Sequence, residues 1–396
     1  MTLSTTRRTA IAAAAALAAL SRAACAQGGP IPLGSLVPLS GAGGPYGPVI
    51  RAAQQFAVDE INKSGGLLGR QLVLVGEDDQ TNPEAGVRAA RKMIDVDKVV
   101  CVLGTWASAV ASAVVPLCWD GKVMMICVGA ADSITQLPHG GYVVRTQPST
   151  TLQSEQFANF AIGEKAKHVY ILMPQTPFTE ATFKLVSEGC ATKGIKVSTA
   201  IYDAKKTGFR SEVDAFMASN ADVLMMGGYL PDTIILAKDV YRANFKGKSV
   251  GYAYAMGPQF VDGAGKQVAD GTFSIEPVPN AASTAYARLT KGLGKAAPDI
   301  YACHGYDEVN LAVLAMAAGG EASGTAIKDN IRKIGNASGV KVDNGPDGLK
   351  ALKEGRTINY LGASGVCKFA PNGDVASAQF KVNVVKDGKI ETYKTL

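Results

Sequence analysis

Histidine and tryptophan are scarce in this 396-residue chain: there are three histidines and two tryptophans. His139, His168 and His304 stand far apart, without a neighbour at metal-ligand spacing, so a histidine-based metal centre is not indicated. No two cysteines form a C-x-x-C pair and no G-x-S-x-G elbow occurs, which removes the usual marks of a redox pair or of an exported hydrolase. No lysine or arginine block appears. The formal charge of +6 includes Arg7, Arg8 and Arg22, and beyond residue 26 the chain keeps 37 basic against 34 acidic residues, a poor basis for nucleic-acid or membrane-surface binding. Beyond the N-terminus no apolar run approaches the roughly 20 residues of a membrane span.

The N-terminus is the clearest local signal. "TTRRTAIAAAAALAALSRAACAQ" has a charged start, a short alanine-rich stretch and small residues at Ala24 and Ala26, as a cleavable export signal does, with maturation expected at Gln27. The Arg7-Arg8 pair, the low hydrophobicity and Arg22 near the cut suit a twin-arginine route. The competing reading is a lipid anchor at Cys25, against which Arg22 stands where an apolar residue is expected. Six cysteines remain in the mature chain, Cys101, Cys118, Cys127, Cys190, Cys303 and Cys367. An oxidising compartment permits disulfides, while Cys101 and Cys127 fall in apolar strand-like runs that suit buried thiols equally well.

The rest of the chain, with 47% hydrophobic residues, is large enough for two cores. Residues 31 to 37, "QLVLVGEDD", "VVCVLG" and "KVMMICVGA" read as strands apolar on both faces, separated by helix-periodic segments. Pro83 marks one helix start and Gly65-Gly66 one helix stop. The pattern restarts at "HVYILMPQT", with "IKVSTAIYD", "ADVLMMGGY" and "KSVGYAYA" as further strands. This predicts two α/β units with mostly parallel, doubly wound sheets covered on both faces. "PVPNAAS" breaks the second unit. Helices near 299–319 and 322–335 follow, then an alternating tail with hairpin turns expected at Asn372-Gly373 and Asp387-Gly388. Ligands of such sheets bind beyond the strand carboxyl ends. There the sequence places the loops Ser40 to Tyr46, Asp78-Asp79, Gly104 to Ser108, Gly129 to Asp132, Gln175 to Phe178, Gly227 to Leu230 and Tyr252 to Met256.

The first loop, "GAGGPYG", does not complete a dinucleotide fingerprint, because Tyr46 occupies the last glycine position and Pro45 and Pro48 remove amide donors. A tight turn or a close backbone approach to a small ligand remains. Asp78-Asp79 reads more readily as a solvated strand-end cap than as a paired-carboxylate site, and Ser108 lacks an evident base. No activated nucleophile is assembled, so no enzyme and no cofactor are expected.

Taken in order, "PLSGAGGPYG", "AVDEINKSGGLLGRQLVLVGEDDQTNP", "LGTWASAVASAVVP", "GYVVRTQPS" and "VLMMGGYLPD" resemble the periplasmic branched-chain amino-acid-binding proteins of ABC importers, type I solute-binding proteins. The resemblance implies two doubly wound lobes joined by a three-segment hinge. Residues 1–26 would be the signal peptide, 27–148 with 280–364 one lobe, and 149–279 with 365–396 the other. It implies a periplasmic monomer that delivers a small solute to an inner-membrane ABC permease, with no nucleic-acid partner. Sensors and receptor ectodomains share the fold, but the signal peptide occupies the place of a repressor's DNA-binding helices and no membrane helix is present.

Carried over residue by residue, the resemblance assigns the ligand's anion to Ser108 and to the backbone of Gly129, Ala130 and Ala131, where Ala131 replaces a frequent threonine. Serine at 108 also suits a plain helix cap. The aromatic walls fall at Tyr46, Trp106, Phe178, Tyr229 and Tyr306. At the position of the acid that holds an amino acid's ammonium stands Tyr254, with no Asp or Glu between Asp239 and Asp262. Either Asp307 or Glu308 substitutes, one of the pair being expected to face solvent, or the ligand is not an α-amino acid. A small carboxylate, aromatic or aliphatic, is therefore favoured over branched-chain amino acids, amides or urea.

Overall fold

The computed structural model describes residues 28–203, 206–294, 299–336 and 338–396. The export signal, including Cys25, lies outside the described residues. The first sheet contains β1 (Ile31–Val37), β2 (Leu72–Asp78), β3 (Cys101–Gly104), β4 (Met124–Cys127) and β5 (Val143–Arg145) in the order β2-β1-β3-β4-β5. Every adjacent pair is parallel. β3, β4 and β5 are buried along their whole length, which explains why their sequences do not alternate.

The second sheet contains β6 (His168–Pro174), β7 (Lys196–Tyr202), β8 (Val223–Met226), β9 (Lys248–Tyr252) and β10 (Phe273–Pro277). The last two strands of the chain, β14 (Phe380–Lys386) and β15 (Lys389–Thr395), complete it in the order β15-β14-β10-β9-β8-β6-β7. β6 to β10 pair in parallel, and β14 and β15 antiparallel. The Asp387-Gly388 turn joins β14 to β15, and both residues take positive φ as a two-residue hairpin requires. The hairpin expected at Asn372-Gly373 is reduced to a single bridge between Phe369 and Val375. A small sheet, β11 (Val340–Val342), β12 (Ile358–Gly362) and β13 (Gly365–Val366), packs against the helices Ile300–Gly319 and Gly324–Asn336.

The chain leaves the first sheet after β5, leaves the second after β10 and re-enters it at β14, so it passes three times between the two halves. Helix Ile300–Gly319 follows β10 but packs against helix Gly47–Lys63 of the first half, and every residue from Ile300 to Met316 is buried. That corrects the expectation that Asp307 or Glu308 faces solvent: both are fully buried. Covered on all sides, the helix has no polar face from which periodicity could be read. The six described cysteines are unpaired and buried.

Candidate functional site

The loop after β1 is built by its neighbour. Asp78, at the end of β2, accepts hydrogen bonds from Leu39 N (2.8 Å), Ser40 N (3.3 Å) and Ser40 Oγ (2.6 Å), while Thr81 Oγ1 accepts from Gly43 N at 2.8 Å. Burial opposes the charge of Asp78, but these bonds together with one from Gln80 N outweigh it and hold its pKa below the ordinary value. Asp79 is not a solvated cap: it is buried, accepts from Thr81 N at 2.7 Å, and burial lifts its pKa to about 6. The glycine-rich loop thus spends its polar groups on the adjacent loop, and its product is the placement of Tyr46. The Tyr46 ring stacks on Trp106 with centroids 4.3 Å apart, and its hydroxyl oxygen accepts from Leu230 N at 3.1 Å.

Beyond β3 the chain turns sharply. Gly104 has φ +100°, and a Cβ there would lie 2.5 Å from Val37 Cγ1 and 2.8 Å from Leu36 O, so the position excludes a side chain. The turn presents Trp106 and Ala107 and opens helix Ser108–Asp120. Ala107 holds the N-cap position and offers no oxygen to the first-turn amides. Ser108 is the first helical residue rather than the cap. Its Oγ accepts from Ala131 N at 3.1 Å, which leaves the hydroxyl proton free to be donated. The loop after β4 is locked from behind: Arg145, fully buried, donates to Ala130 O (2.7 Å) and Ala131 O (2.8 Å) and pairs with Asp374 at 2.7 Å.

From the second sheet, Thr176 caps helix Pro177–Ala191 by accepting from Thr179 N at 3.1 Å. The Phe178 ring sits 5.0 Å from Tyr252, which stacks on Tyr254 at 5.5 Å and 17°. Tyr229 precedes helix Leu230–Arg242. At Gly228 a Cβ would collide with Asp232 and with the Tyr202 hydroxyl, so only glycine lets the backbone pass there. Tyr301, in the first turn of helix Ile300–Gly319, closes the set edge-on to Trp106 at 6.1 Å.

These elements enclose a cavity of about 70 Å³ between the two sheets. Of the residues singled out in the sequence, Ser108, Ala130, Trp106, Phe178, Tyr229 and Tyr254 line it. Tyr46 stands behind Trp106 rather than on the wall. Gly129 packs toward Ile134, and Ala131 spends its amide on Ser108; neither reaches the cavity. Tyr306 is directed elsewhere, its hydroxyl donating to Glu60 at 2.7 Å and its ring 6.0 Å from Phe56. Tyr301, Gln147, Gln153 and Thr179 also line the cavity, although no motif in the sequence points to them. Gln147 lies two residues beyond β5, and that strand end is its one signal in the sequence.

No residue lining the cavity carries a charge. Asp307 and Glu308, the two acids that the sequence offers as substitutes, are occupied elsewhere, while Asp232 lies behind Gly228 and accepts from Tyr202 Oη at 2.6 Å. Asp307 accepts from Tyr360 Oη (2.7 Å), Ala363 N (2.9 Å) and Ser364 N (2.8 Å), and Glu308 accepts from Gln54 Nε2 (2.8 Å) and Gly104 N (3.2 Å). The N-termini of helices Ser108–Asp120, Pro177–Ala191 and Leu230–Arg242 all open on the cavity. An uncharged chamber facing the positive ends of three helices favours an anion. The profile of the periplasmic binding protein family matches residues 30–358.

The chain belongs to that family. Among curated relatives it is similar to the Leu/Ile/Val-binding protein BraC3 of Rhizobium johnstonii, with 28% identity over 91% of this chain and 93% of the relative. Among solved structures it is similar to a leucine-binding protein LivK of Thermotoga maritima, with a TM-score of 0.80, 20% identity and coverage of 92% and 98%. It is also similar to a solute-binding protein of an ABC transporter from R. palustris in complex with benzoate, with a TM-score of 0.74, 19% identity and coverage of 93% and 96%. As a periplasmic binding protein it shares their fold of two α/β lobes. Among the described residues no helix is long and apolar enough to cross a membrane, and no metal-binding cluster is found.

Proposed function

We propose that this periplasmic binding protein captures a small carboxylate with a flat or apolar body and hands it, unaltered, to an ABC permease of the inner membrane. Export to the periplasm would use the N-terminal signal. Residues 27–148 with 280–364 would close on residues 149–279 with 365–396 about the three crossings as a hinge, in a population shift driven by the ligand. The observation that carries the reading is the pairing of an uncapped helix start at Ala107-Ser108-Ala109 with a lining free of charged residues. The carboxylate would receive the Ser108 hydroxyl and first-turn amides, and the body would lie among Trp106, Phe178, Tyr229, Tyr254 and Tyr301.

The alternative is a branched-chain amino acid, favoured by the name of the 28% identical relative. An ammonium buried here without a counter-charge would cost several kcal/mol, roughly what a binding site of this size gains. A thermal-shift screen over benzoate, short aliphatic acids, leucine, valine, acetamide and urea tests the choice, since a ligand specific to the folded state raises the melting temperature. Stabilisation by simple carboxylates is expected. Stabilisation by leucine or valine alone would overturn it.

A further inference from the structure

Gln147 lies in the crossing between β5 and helix Thr150–Gly163, and its backbone is fixed on both sides. Thr146 N donates to Cys127 O at 3.1 Å, and Pro148 O accepts from Gln153 Nε2 at 2.7 Å. Being followed by proline, Gln147 is also confined to extended backbone. Its side chain is therefore presented to the cavity from a rigid segment. It lines the cavity and is only 4% exposed, yet its Oε1 has no hydrogen-bond partner among the described residues.

Several other polar atoms on the wall are already engaged. Ser108 Oγ accepts from Ala131 N, Thr176 Oγ1 and Thr179 Oγ1 lie 3.0 Å apart, and Gln153 holds Pro148. A buried amide oxygen without a donor is costly, and a ligand donor relieves that cost. With no charged residue on the wall, an ammonium is the poorer donor and a neutral hydroxyl the better one. A hydroxyl also accepts, so it satisfies an amide through either of its ends.

We infer that Gln147 is a specificity-determining residue and that the solute is a hydroxylated carboxylate, held by Gln147 through its hydroxyl and by the Ser108 helix start through its anion. This rests on the carboxylate reading above.

Calorimetric titration of the full mature chain with benzoate, 3-hydroxybenzoate and 4-hydroxybenzoate, in wild type and in Gln147→Met, tests it. Wild type should bind at least one hydroxybenzoate about tenfold more tightly than benzoate, the range of one well-made hydrogen bond to a buried group. Gln147→Met should erase that preference, and a melting temperature no lower than that of wild type shows that the variant is folded. Equal wild-type affinities, or an equal loss for all three acids in the variant, would overturn the role of Gln147 and leave the carboxylate reading standing. Failure of all three acids to bind wild type would overturn the inference, and the carboxylate reading falls with it if the short aliphatic acids of the thermal-shift screen also fail.

Discussion

Tyr46 and Leu230 belong to opposite halves of the molecule and are joined across the cleft: the Tyr46 hydroxyl accepts from Leu230 N at 3.1 Å, at the first turn of a helix with no side-chain cap. The same phenol ring stacks on Trp106, which lines the cavity. One residue thus touches both the cavity-lining Trp106 and the opposite half of the molecule.

Tyr46→Phe keeps the stack and removes the cross-cleft bond. The closed form should lose about 1 kcal/mol, which weakens ligand binding about fivefold, mostly through faster release. Stopped-flow tryptophan fluorescence can follow it, since Trp106 stands at the site. An unchanged dissociation rate would show that the bond does not hold the lobes together.

Ser108→Ala should weaken carboxylate binding by about 1.5–3 kcal/mol if the hydroxyl donates to a charged oxygen. The same change also leaves Ala131 N without its 3.1 Å acceptor. Ser108→Cys, which keeps a weak donor and acceptor, should fall between the two. Titration calorimetry distinguishes the three, and unchanged affinity in the alanine variant would remove Ser108 from the anion site.

Much of this arrangement was readable before the fold was known, for physical reasons. Strands β3, β4 and β5 are apolar throughout because both faces are buried, and each ends where a loop begins. Trp106, Ser108, Tyr229 and Tyr254 sit directly after such strands, so strand ends located them. Tyr301 and Tyr306 share a helix that is buried on every side, and nothing in its pattern says which ring meets the cavity. Tyr306, expected on the wall, turns to Glu60, and Tyr301 lines the cavity in its place. Gln147 lies in a crossing segment, where burial depends on how the two halves close and leaves no periodic trace.

Glu308 makes stability depend on pH. Burial, opposed by hydrogen bonds from Gln54 and Gly104, raises its pKa to about 8. Between the unfolded carboxyl's ordinary value near 4.3 and about 8, the unfolded chain binds fewer protons than the folded one, so this group lowers stability progressively as pH rises through that window. Glu308→Gln retains an acceptor and cannot ionise. It should flatten that part of the profile and gain about 1–3 kcal/mol near pH 8 in denaturant melts. At pH 4 the two proteins should differ little. A variant whose deficit or gain is the same at both pH values would exclude titration of Glu308 as the cause.

The six cysteines from Cys101 to Cys367 offer a last test, of packing rather than binding. All are unpaired and buried, and burial pushes the Cys118 and Cys127 thiols up to about 12. The thiolate is the reactive form, so at neutral pH these groups are protected twice, by access and by ionisation. Native protein should give almost no reaction with a thiol-specific disulfide reagent, and six equivalents should titrate once guanidinium unfolds it. Reducing agent should leave the melting temperature unchanged, because no crosslink would be broken. A drop of several degrees on reduction, or fewer than six equivalents after unfolding, would reveal a disulfide and a different packing of the cysteine-bearing strands.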